Sequence, residues 1–393
     1  MANDSNASLQ NRFVVAVPFR EVCVNYAIIL GRQRMLRLHA MWTRRRAAGV
    51  PPEVTRLFPP LGLLTYMGAL TLPPFYGESF RFGLYPLYDQ WVRGQLQPGD
   101  HIISSYANVN RCFAWCRRHG GKTFLDGGNS HPANSWEILE EEHRRWNCQY
   151  PPVARFHHKR ALRTVEEADY VLSPSSFVRN SFVVRGFNPE RILDVFYPVD
   201  LSCFTPPREE RPSQRPLTII TTGSLSLRKG PPYLLEAFRL IRREIPNARL
   251  LLTDTVTDSI KPILAQYRDL PIEWSPNLPH DKLAERLRSA DVFILPSLED
   301  GFARTVAEAM ACGLPCGTTP NTGASDLVED AVNGTVVPIR NAGAICDAVL
   351  FWWDRIRTGY RVPMVDLQQK LSFERLDGLF VGHLRRLGFL PTT

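Results

Sequence analysis

The chain has 393 residues, of which 44% are hydrophobic and 22% are charged, and its formal net charge is +8. This length exceeds the size at which a single hydrophobic core stops growing, so it predicts two domains of roughly 200 residues each. The ordinary composition, without low-complexity tracts or internal repeats, excludes a linker and a solenoid. Only six of the 47 basic residues are Lys, and such an Arg bias is weak support for phosphate binding because base composition also produces it.

The N-terminal segment and the cysteines bear on the compartment. Residues 1–12 are polar and lack the apolar core of a signal peptide, so we expect a disordered N-terminus and a cytoplasmic protein. The eight cysteines show no framework of a small secreted domain, which predicts reduced thiols. Cys112/Cys116 and Cys312/Cys316 are spaced i,i+4 but lack a second ligand pair, and a zinc site is therefore not predicted.

Short β-rich runs alternate with helical stretches from end to end, which indicates parallel βαβ architecture. In the first half of the chain the predicted strands are residues 13–19, 100–106, 122–128, 168–175 and 191–198.

A basic segment follows the first of these strands. Residues 31–49 contain six Arg and no acid. As a helix, this segment would carry Met35, Leu38 and Trp42 on one face and could lie on an anionic bilayer. Residues 57–77 add apolar surface, but four prolines exclude a membrane-spanning helix there. Peripheral contact with the inner face of a membrane, a solvated helix and a buried loop remain alternatives.

The middle of the chain divides two Rossmann-like halves. Residues 199–216 are rich in Pro, Ser and charge and are predicted to be a linker. Two doubly wound domains, at 13–204 and 217–375, would place the carboxyl ends of their strands around a common cleft. For residues 376–393 we predict a C-terminal helix, with packing back onto the first domain as one arrangement. The predicted strands of the second half are residues 217–224, 248–254, 269–274, 290–297 and 315–320.

The second domain opens with a candidate phosphate-binding turn. A strand ends at Gly223, and the turn that follows carries Arg228, Lys229 and Gly230 before a helical pattern begins. Arg offers a planar fork of donors and Lys a point charge, and both suit phosphate. The alternative is a solvated basic turn.

A pair of acids brackets a later helix. Asp300 and Glu308 are eight positions apart, or roughly 12 Å along a helix, which is too far for a shared proton. This spacing suits two contacts with one elongated ligand. The amides of the first turn would bind an anion at the positive end of the helix dipole. Those amides belong to Gly301, Phe302, Ala303 and Arg304.

The anion site suggests how a ligand would lie. A diphosphate on these amides would leave one end of the ligand near Asp300, and a ribose diol could hydrogen-bond to Glu308. The alternative makes Asp300 an N-cap and Glu308 a satisfied core acid.

These motifs resemble a known family. Residues 289–339 look like the donor-binding region of retaining glycosyltransferases of family 4, which have the GT-B fold and a glycosyl transferases group 1 domain. The E-x7-E element of that family matches Asp300 to Glu308, with Asp in place of the first Glu. GSLSLRKG resembles the family's G-x-L-x-x-x-K-G loop, in which Lys229 is the match. Ser224 stands where the family usually has Arg, and Arg228 is a plausible substitute.

The first domain carries a weaker resemblance. His131, in LDGGNSHP, resembles a first-domain His that family members place near the transferred sugar, although a lone His after a strand is more often an ordinary loop residue. Family members also have a glycine-rich loop after their first strand, whereas VPFREVCVNYA contains no glycine. This departure puts acceptor contacts from that loop in doubt.

The resemblance implies a role for each matching residue. Lys229 and Arg228 would neutralise the donor diphosphate, and Glu308 would hold the ribose hydroxyls. Asp300 and His131 would face the transferred sugar. The other implied donor-binding residues are Gly223, Ser224, Gly301, Phe302, Ala303, Arg304, Asn277 and Leu278.

The expected function is a retaining hexosyltransferase of polysaccharide or glycan biosynthesis. The donor would be a UDP- or GDP-sugar acting as co-substrate, and the acceptor a glycan or glycolipid. No D-x-D motif is present, so we expect no metal and no cofactor, with Arg and Lys serving the diphosphate. No nucleic-acid partner is predicted. The alternative is a glycosyltransferase-like binding or scaffold protein without turnover.

Overall fold

The computed structural model describes residues 12–18, 22–42, 49–71, 80, 82–148, 150, 152–207, 215–257, 260–275, 278–363 and 366–391. The predictions for the N-terminus before Arg12 and for the centre of the linker, residues 208–214, lie outside these ranges.

The N-terminal half forms a seven-stranded parallel sheet with the order β3-β2-β1-β4-β5-β6-β7. Its strands are β1 (Phe13–Ala16), β2 (Leu36–Met41), β3 (Thr55–Leu57), β4 (His101–Ser105), β5 (Thr123–Asp126), β6 (Tyr170–Ser173) and β7 (Ile192–Asp194). The helices here are α1 (Cys23–Arg32), α2 (Pro59–Thr71), α3 (Tyr85–Arg93), α4 (Asn110–Arg118), α5 (Pro132–Arg145), α6 (Pro152–Glu166) and α7 (Ser176–Val184).

The C-terminal half forms a six-stranded parallel sheet with the order β10-β9-β8-β11-β12-β13. Its strands are β8 (Thr218–Thr221), β9 (Arg249–Thr253), β10 (Ile272–Ser275), β11 (Val292–Leu295), β12 (Cys316–Thr318) and β13 (Gly334–Val336). The helices are α8 (Pro231–Glu244), α9 (Lys261–Leu264), α10 (His280–Ser289), α11 (Arg304–Ala311), α12 (Ala342–Arg357), α13 (Leu367–Lys370) and α14 (Phe373–Arg386). Single 3₁₀ turns lie at Pro52–Val54, Pro189–Arg191, Leu227–Lys229, Ala265–Tyr267 and Gly323–Leu327.

All ten strands predicted from the sequence are present, and β2, β3 and β13 are additional. The central strands are apolar runs buried on both faces, as parallel sheets covered by helices require. In each sheet the strand order reverses once, between β1 and β4 and between β8 and β11. Ligands of doubly wound sheets bind at such switch points, beyond the carboxyl ends of the strands.

The helical interpretations of residues 31–49 are wrong for residues 36–41, which form a buried strand. Helix α1 ends at Arg32, and strand β2 follows. Met35, Leu38 and Trp42 are buried in the protein and do not form an exposed face. The register with β1 shifts between Leu36 and Leu38, so the intervening residue is extra in the strand. Five of the six residues of β2 are buried, so the sequence does not show the alternation typical of a half-buried strand. Residues 43–48 lie outside the described ranges.

Helix α2 (Pro59–Thr71) forms most of the N-terminal part of the apolar segment 57–77. Prolines 59 and 60 start this helix, where their missing N–H groups cost nothing. Four of its side chains are exposed: Leu63 at 60%, Leu64 at 42%, Tyr66 at 63% and Met67 at 51%. Among the described helices, none has both the length and the apolarity to cross a membrane.

The two halves make specific contacts across their interface. Glu142 of α5 is fully buried and accepts hydrogen bonds from Tyr233 Oη at 2.8 Å and Arg340 Nε at 2.8 Å. The Tyr197 and Phe302 rings meet at 5.7 Å. Removing one partner from such a buried charge is costly, so these contacts fix the relative placement of the domains.

The C-terminal segment returns to the first domain. Helix α14 begins at Phe373, and Asp377 accepts a hydrogen bond from Arg32 at 3.0 Å. The Phe389 ring lies 5.5 Å from that of Phe13 in β1. The chain therefore crosses the interface a second time after the C-terminal sheet is complete.

Candidate active site

The turn that carries the two cations is shaped by glycines. It follows β8, begins at Gly223 with a φ of +103°, and ends at Gly230 with a φ of +69°. A Cβ on Gly230 would lie 2.1 Å from the Pro296 carbonyl oxygen, so this position requires glycine. Because β8 and β11 are neighbours, the turn lies beside the loop after β11, and the Leu298 amide donates to the Arg228 carbonyl at 2.8 Å.

Arg228 and Lys229 meet two acids in that loop. Lys229 Nζ forms an ion pair with Asp300 Oδ2. Arg228 Nη1 lies 3.4 Å from Glu299 Oε2 and 4.0 Å from Asp300 Oδ1. The cations predicted to bind phosphate are thus neutralised within the protein, and a diphosphate would have to compete with these carboxylates for them.

The ionisation of the cluster follows from burial and pairing. Burial would raise the pKa of Asp300, but Lys229 and Arg228 outweigh it and hold that pKa below its usual value. Burial also lowers the pKa of Lys229, and Asp300 only partly offsets this effect. For Arg228, Asp300 and Glu299 outweigh burial and raise the pKa. Arg228, Lys229, Glu299 and Asp300 therefore form a compact charge cluster, and a bound anion would change the pairing of its two cations with its two carboxylates.

The amides expected to bind an anion at the start of α11 are partly engaged. The Phe302 and Ala303 N–H groups donate to Asp300 Oδ1 at 3.4 and 3.2 Å. These two amides are therefore not free to bind an anion, and Asp300 is not the N-cap of the helix either, because that position is Ala303. Ala303 has a φ of +56°, a left-handed conformation that costs about 1–2 kcal/mol for a residue with a Cβ. Arg304 begins the helix.

Glu308 lies in the middle of α11, on the second turn of the helix. It is largely buried, and this burial raises the pKa of its carboxyl despite the nearby His280 and Arg304. It lines a cleft of about 830 Å³ that both domains form. The other side chains around this cleft include Tyr106, Asn108, Asp126, His157, Tyr197, His280 and Arg304.

The first domain closes over the charge cluster with its 127–131 loop. A Cβ on Gly301 would lie 2.0 Å from the Gly128 carbonyl oxygen, so only glycine permits this approach. The Ser130 N–H donates to Glu299 Oε1 at 2.8 Å. The loop that carries His131 is thereby attached to the loop that carries Asp300.

His131 caps the helix that follows it. Its ring Nδ1 accepts a hydrogen bond from the Ala133 N–H at 3.2 Å, and its backbone N–H donates to Ser181 Oγ at 2.8 Å. Burial, and then the nearby Arg185 and His158, lower the pKa of His131 to about 4. At neutral pH the imidazole is therefore uncharged, and its proton belongs on Nε2 because Nδ1 accepts.

Four hydroxyls near these loops are buried and have no hydrogen-bond partner within the described part of the chain. These hydroxyls belong to Thr222, which follows β8, Ser297, which follows β11, Ser130, which precedes His131, and Thr305, in the first turn of α11. Buried polar groups are almost always satisfied in native proteins. These hydroxyls could therefore hydrogen-bond to a ligand rich in oxygen.

The remaining predicted residues lie farther along the same edge. Ser224 is half-buried beside Gly223, and Leu278 is half-buried before α10. Asn277 lies outside the described residues. Within the described ranges, no cluster of three or more His, Cys, Asp or Glu side chains has the arrangement of a metal site.

Two functional candidates were not predicted from the sequence. Glu299 is buried and joins Arg228 to the first domain. Asp126 ends β5 beside the cleft and accepts from Tyr197 Oη at 3.0 Å. A carboxylate at the carboxyl end of a predicted strand was a usable signal for Asp126, whereas Glu299 had only its adjacency to Asp300.

Comparisons with known proteins agree with this architecture. Residues 206–355 match the family described as glycosyl transferases group 1. Lipopolysaccharide 1,6-galactosyltransferase of Salmonella typhimurium is 26% identical over 200 residues, 49% of this chain and 54% of the relative. The chain thus matches about half the length of this relative.

Solved structures show the GT-B fold. Sucrose-phosphate synthase of Thermosynechococcus elongatus superposes with a TM-score of 0.67 at 18% identity, over 96% of this chain and 99% of that protein. HepE of Anabaena, determined in complex with UDP-glucose, gives a TM-score of 0.61 at 16% identity, over 95% and 99%. The protein therefore has two facing doubly wound domains of the GT-B type.

Proposed function

We propose that this protein is a retaining glycosyltransferase that moves a hexosyl group from a nucleotide-diphosphate sugar to a hydroxyl of a glycan or lipid-linked acceptor. The observation that carries the proposal is the cluster of Arg228 and Lys229 with Glu299 and Asp300 at the switch point of the second sheet, which Glu299 joins to the 127–131 loop of the first domain. The family match of residues 206–355 and the UDP-glucose of the HepE structure support a nucleotide-sugar donor.

In this proposal the donor diphosphate binds at the charge cluster. Lys229 and Arg228 exchange part of their pairing with Asp300 and Glu299 for phosphate oxygens. Negative charge grows on the leaving diphosphate during transfer, so fixed cations stabilise the transition state more than the ground state. This contribution needs no metal ion, and we propose a metal-independent reaction.

The rest of the donor lies along α11. Glu308 accepts hydrogen bonds from the ribose hydroxyls, Asp300 faces the transferred sugar, and the backbone of the turn at Gly301 faces the β-phosphate. Gly223, Ser224 and Leu278 complete the nucleotide side. The basis for this orientation is that the charge cluster precedes α11, whereas Glu308 lies within the helix and lines the cleft between the domains.

Retention follows if the acceptor attacks from the face that the diphosphate leaves. The acceptor oxygen bonds to the anomeric carbon as the bond from that carbon to the phosphate oxygen breaks, and the acceptor proton passes to that phosphate oxygen. The enzyme supplies no nucleophile in this scheme. The neutral His131, with its proton on Nε2, donates a hydrogen bond to the transferred sugar.

For the acceptor we propose a glycan or a glycolipid at a cytoplasmic membrane surface. Leu63, Leu64, Tyr66 and Met67 form an exposed apolar face on α2, which contains no charged residue. Together with a net charge of +8, this face suits peripheral contact with an anionic bilayer. Sedimentation with vesicles of phosphatidylglycerol should pull down the protein, whereas Leu64→Glu with Met67→Glu should release it.

Thermal unfolding with a panel of UDP- and GDP-sugars tests the donor assignment. A true donor binds only the folded protein and raises the melting temperature, whereas Glu308→Gln should reduce that rise. Mass and NMR analysis of products in EDTA then test transfer, the anomeric configuration and independence from metal. Binding without turnover would instead favour a scaffold protein, an alternative suggested by the neutralised state of Lys229.

A further inference from the structure

We infer that Glu299 is a positioning residue that holds the His131-bearing loop of the first domain against the phosphate-binding cations of the second. The inference rests on the proposed function, because it assigns Glu299 a part in the same reaction. It adds a residue outside the acidic pair from which that function was argued.

The contacts of Glu299 reach both domains. Its Oε1 accepts the Ser130 N–H at 2.8 Å, across a sequence separation of 169 residues. Its Oε2 lies 3.4 Å from Arg228 Nη1, and the same Arg228 atom donates to the Glu299 carbonyl oxygen at 3.0 Å. One side chain therefore fixes the loop of the first domain and the Arg of the second in one geometry.

The surroundings of Glu299 leave little freedom for its hydrogen bond with the Ser130 N–H to change. Glu299 is buried, so a lost hydrogen bond is not readily replaced by water. The neighbouring backbones also meet closely, because a Cβ on Gly301 would lie 2.0 Å from the Gly128 carbonyl oxygen. A small displacement of the 127–131 loop would move His131 relative to the donor, and misplacements of about 1 Å can cost on the order of 100-fold in rate.

Two substitutions separate the two contacts of Glu299. Glu299→Gln keeps an oxygen that can accept the Ser130 N–H but loses the charge that faces Arg228. Glu299→Ala removes both contacts. Asp326→Ala is the matched control, since Asp326 also joins the domains by accepting the Ser176 N–H, at 2.8 Å, but lines a different cavity.

We expect loss of Glu299 to impair turnover without weakening the binding of the nucleotide. Glu299→Ala should lower kcat about tenfold or more, while the Kd for the bare nucleoside diphosphate stays equal or decreases, because an anion beside Arg228 is gone. General damage to the fold would weaken both. In a His131→Ala background the same change should lower kcat much less, because both residues act through one loop.

Hydrogen exchange supplies a readout that does not depend on activity. In wild-type protein the Ser130 amide should be protected, Glu299→Ala should lose that protection, and Glu299→Gln and Asp326→Ala should keep it. If the wild type binds no donor, the proposed function fails, and the exchange result still decides whether Glu299 holds this loop. The inference is overturned by unchanged exchange or unchanged kcat in Glu299→Ala, or by an equal loss of kcat in Asp326→Ala.

Discussion

Replacing Asp300 by Asn should make the bare nucleoside diphosphate bind more tightly while it slows sugar transfer. In the structure the Asp300 carboxylate occupies Lys229 and accepts hydrogen bonds from the Phe302 and Ala303 amides. A diphosphate that uses these groups must displace the carboxylate. Asn keeps the shape and one acceptor but removes the negative charge that competes with phosphate.

The magnitude follows from the burial of the pair. The exposed fractions of the Lys229 and Asp300 side chains are 16% and 10%, so solvent screens their interaction only weakly. A hydrogen bond to a charged group contributes about 1.5–3 kcal/mol. If the ligand recovers the lower figure, its Kd should fall about tenfold.

Isothermal titration calorimetry with the nucleoside diphosphate measures this change, and steady-state assays with the intact donor measure transfer. Asp326→Asn makes the same chemical change at another carboxylate of the domain interface and should leave both quantities near their wild-type values. Weaker binding of the diphosphate by Asp300→Asn would refute the competition and would make the acid part of the diphosphate site.

Other consequences are equally specific. Glu308→Gln should weaken nucleoside diphosphate binding by about 1.5–3 kcal/mol in the same calorimetric experiment, since a charged acceptor for the ribose is lost; an unchanged Kd would remove Glu308 from the site. His39 is fully buried, neither ring nitrogen has a partner in the described structure, and burial lowers its pKa to about 4. Because protonation then favours the unfolded chain, the contribution of His39 to the free energy of unfolding is fully present above pH 6.5 and is lost as the pH falls from 6.5 to 4, by about 3 kcal/mol. His39→Leu should therefore flatten the dependence of the unfolding free energy on pH in this range, as measured by urea denaturation. An unaltered pH dependence would contradict the assignment. Ala303→Gly should raise the free energy of unfolding by about 0.5 kcal/mol, because relief of the left-handed strain exceeds the entropy cost of glycine, whereas Ala303→Val should lower it. Transfer should continue in EDTA, and loss of activity that Mg²⁺ or Mn²⁺ restores would show that the cations are not sufficient for the diphosphate.

The sequence alone predicted the doubly wound architecture because its strands are short apolar runs between turn residues, and those signals are local. It also predicted a helix after Asp300, and this helix, α11, starts at Arg304 and carries Glu308 but not Asp300. Strand β2 escaped prediction because five of its six residues are buried, so it lacks the alternation of a half-buried strand, and only pairing with β1 reveals it.

The partners of the charged residues were decided by tertiary structure. Lys229 and Asp300 are 71 residues apart and meet because β8 and β11 are neighbours at the switch point of the second sheet. Glu299 meets the Ser130 amide only because the first domain docks there. The sequence identified groups able to bind a diphosphate, since residue type sets charge and hydrogen-bonding capacity. Which of these groups already neutralise one another depends on distances between loops that no local pattern encodes.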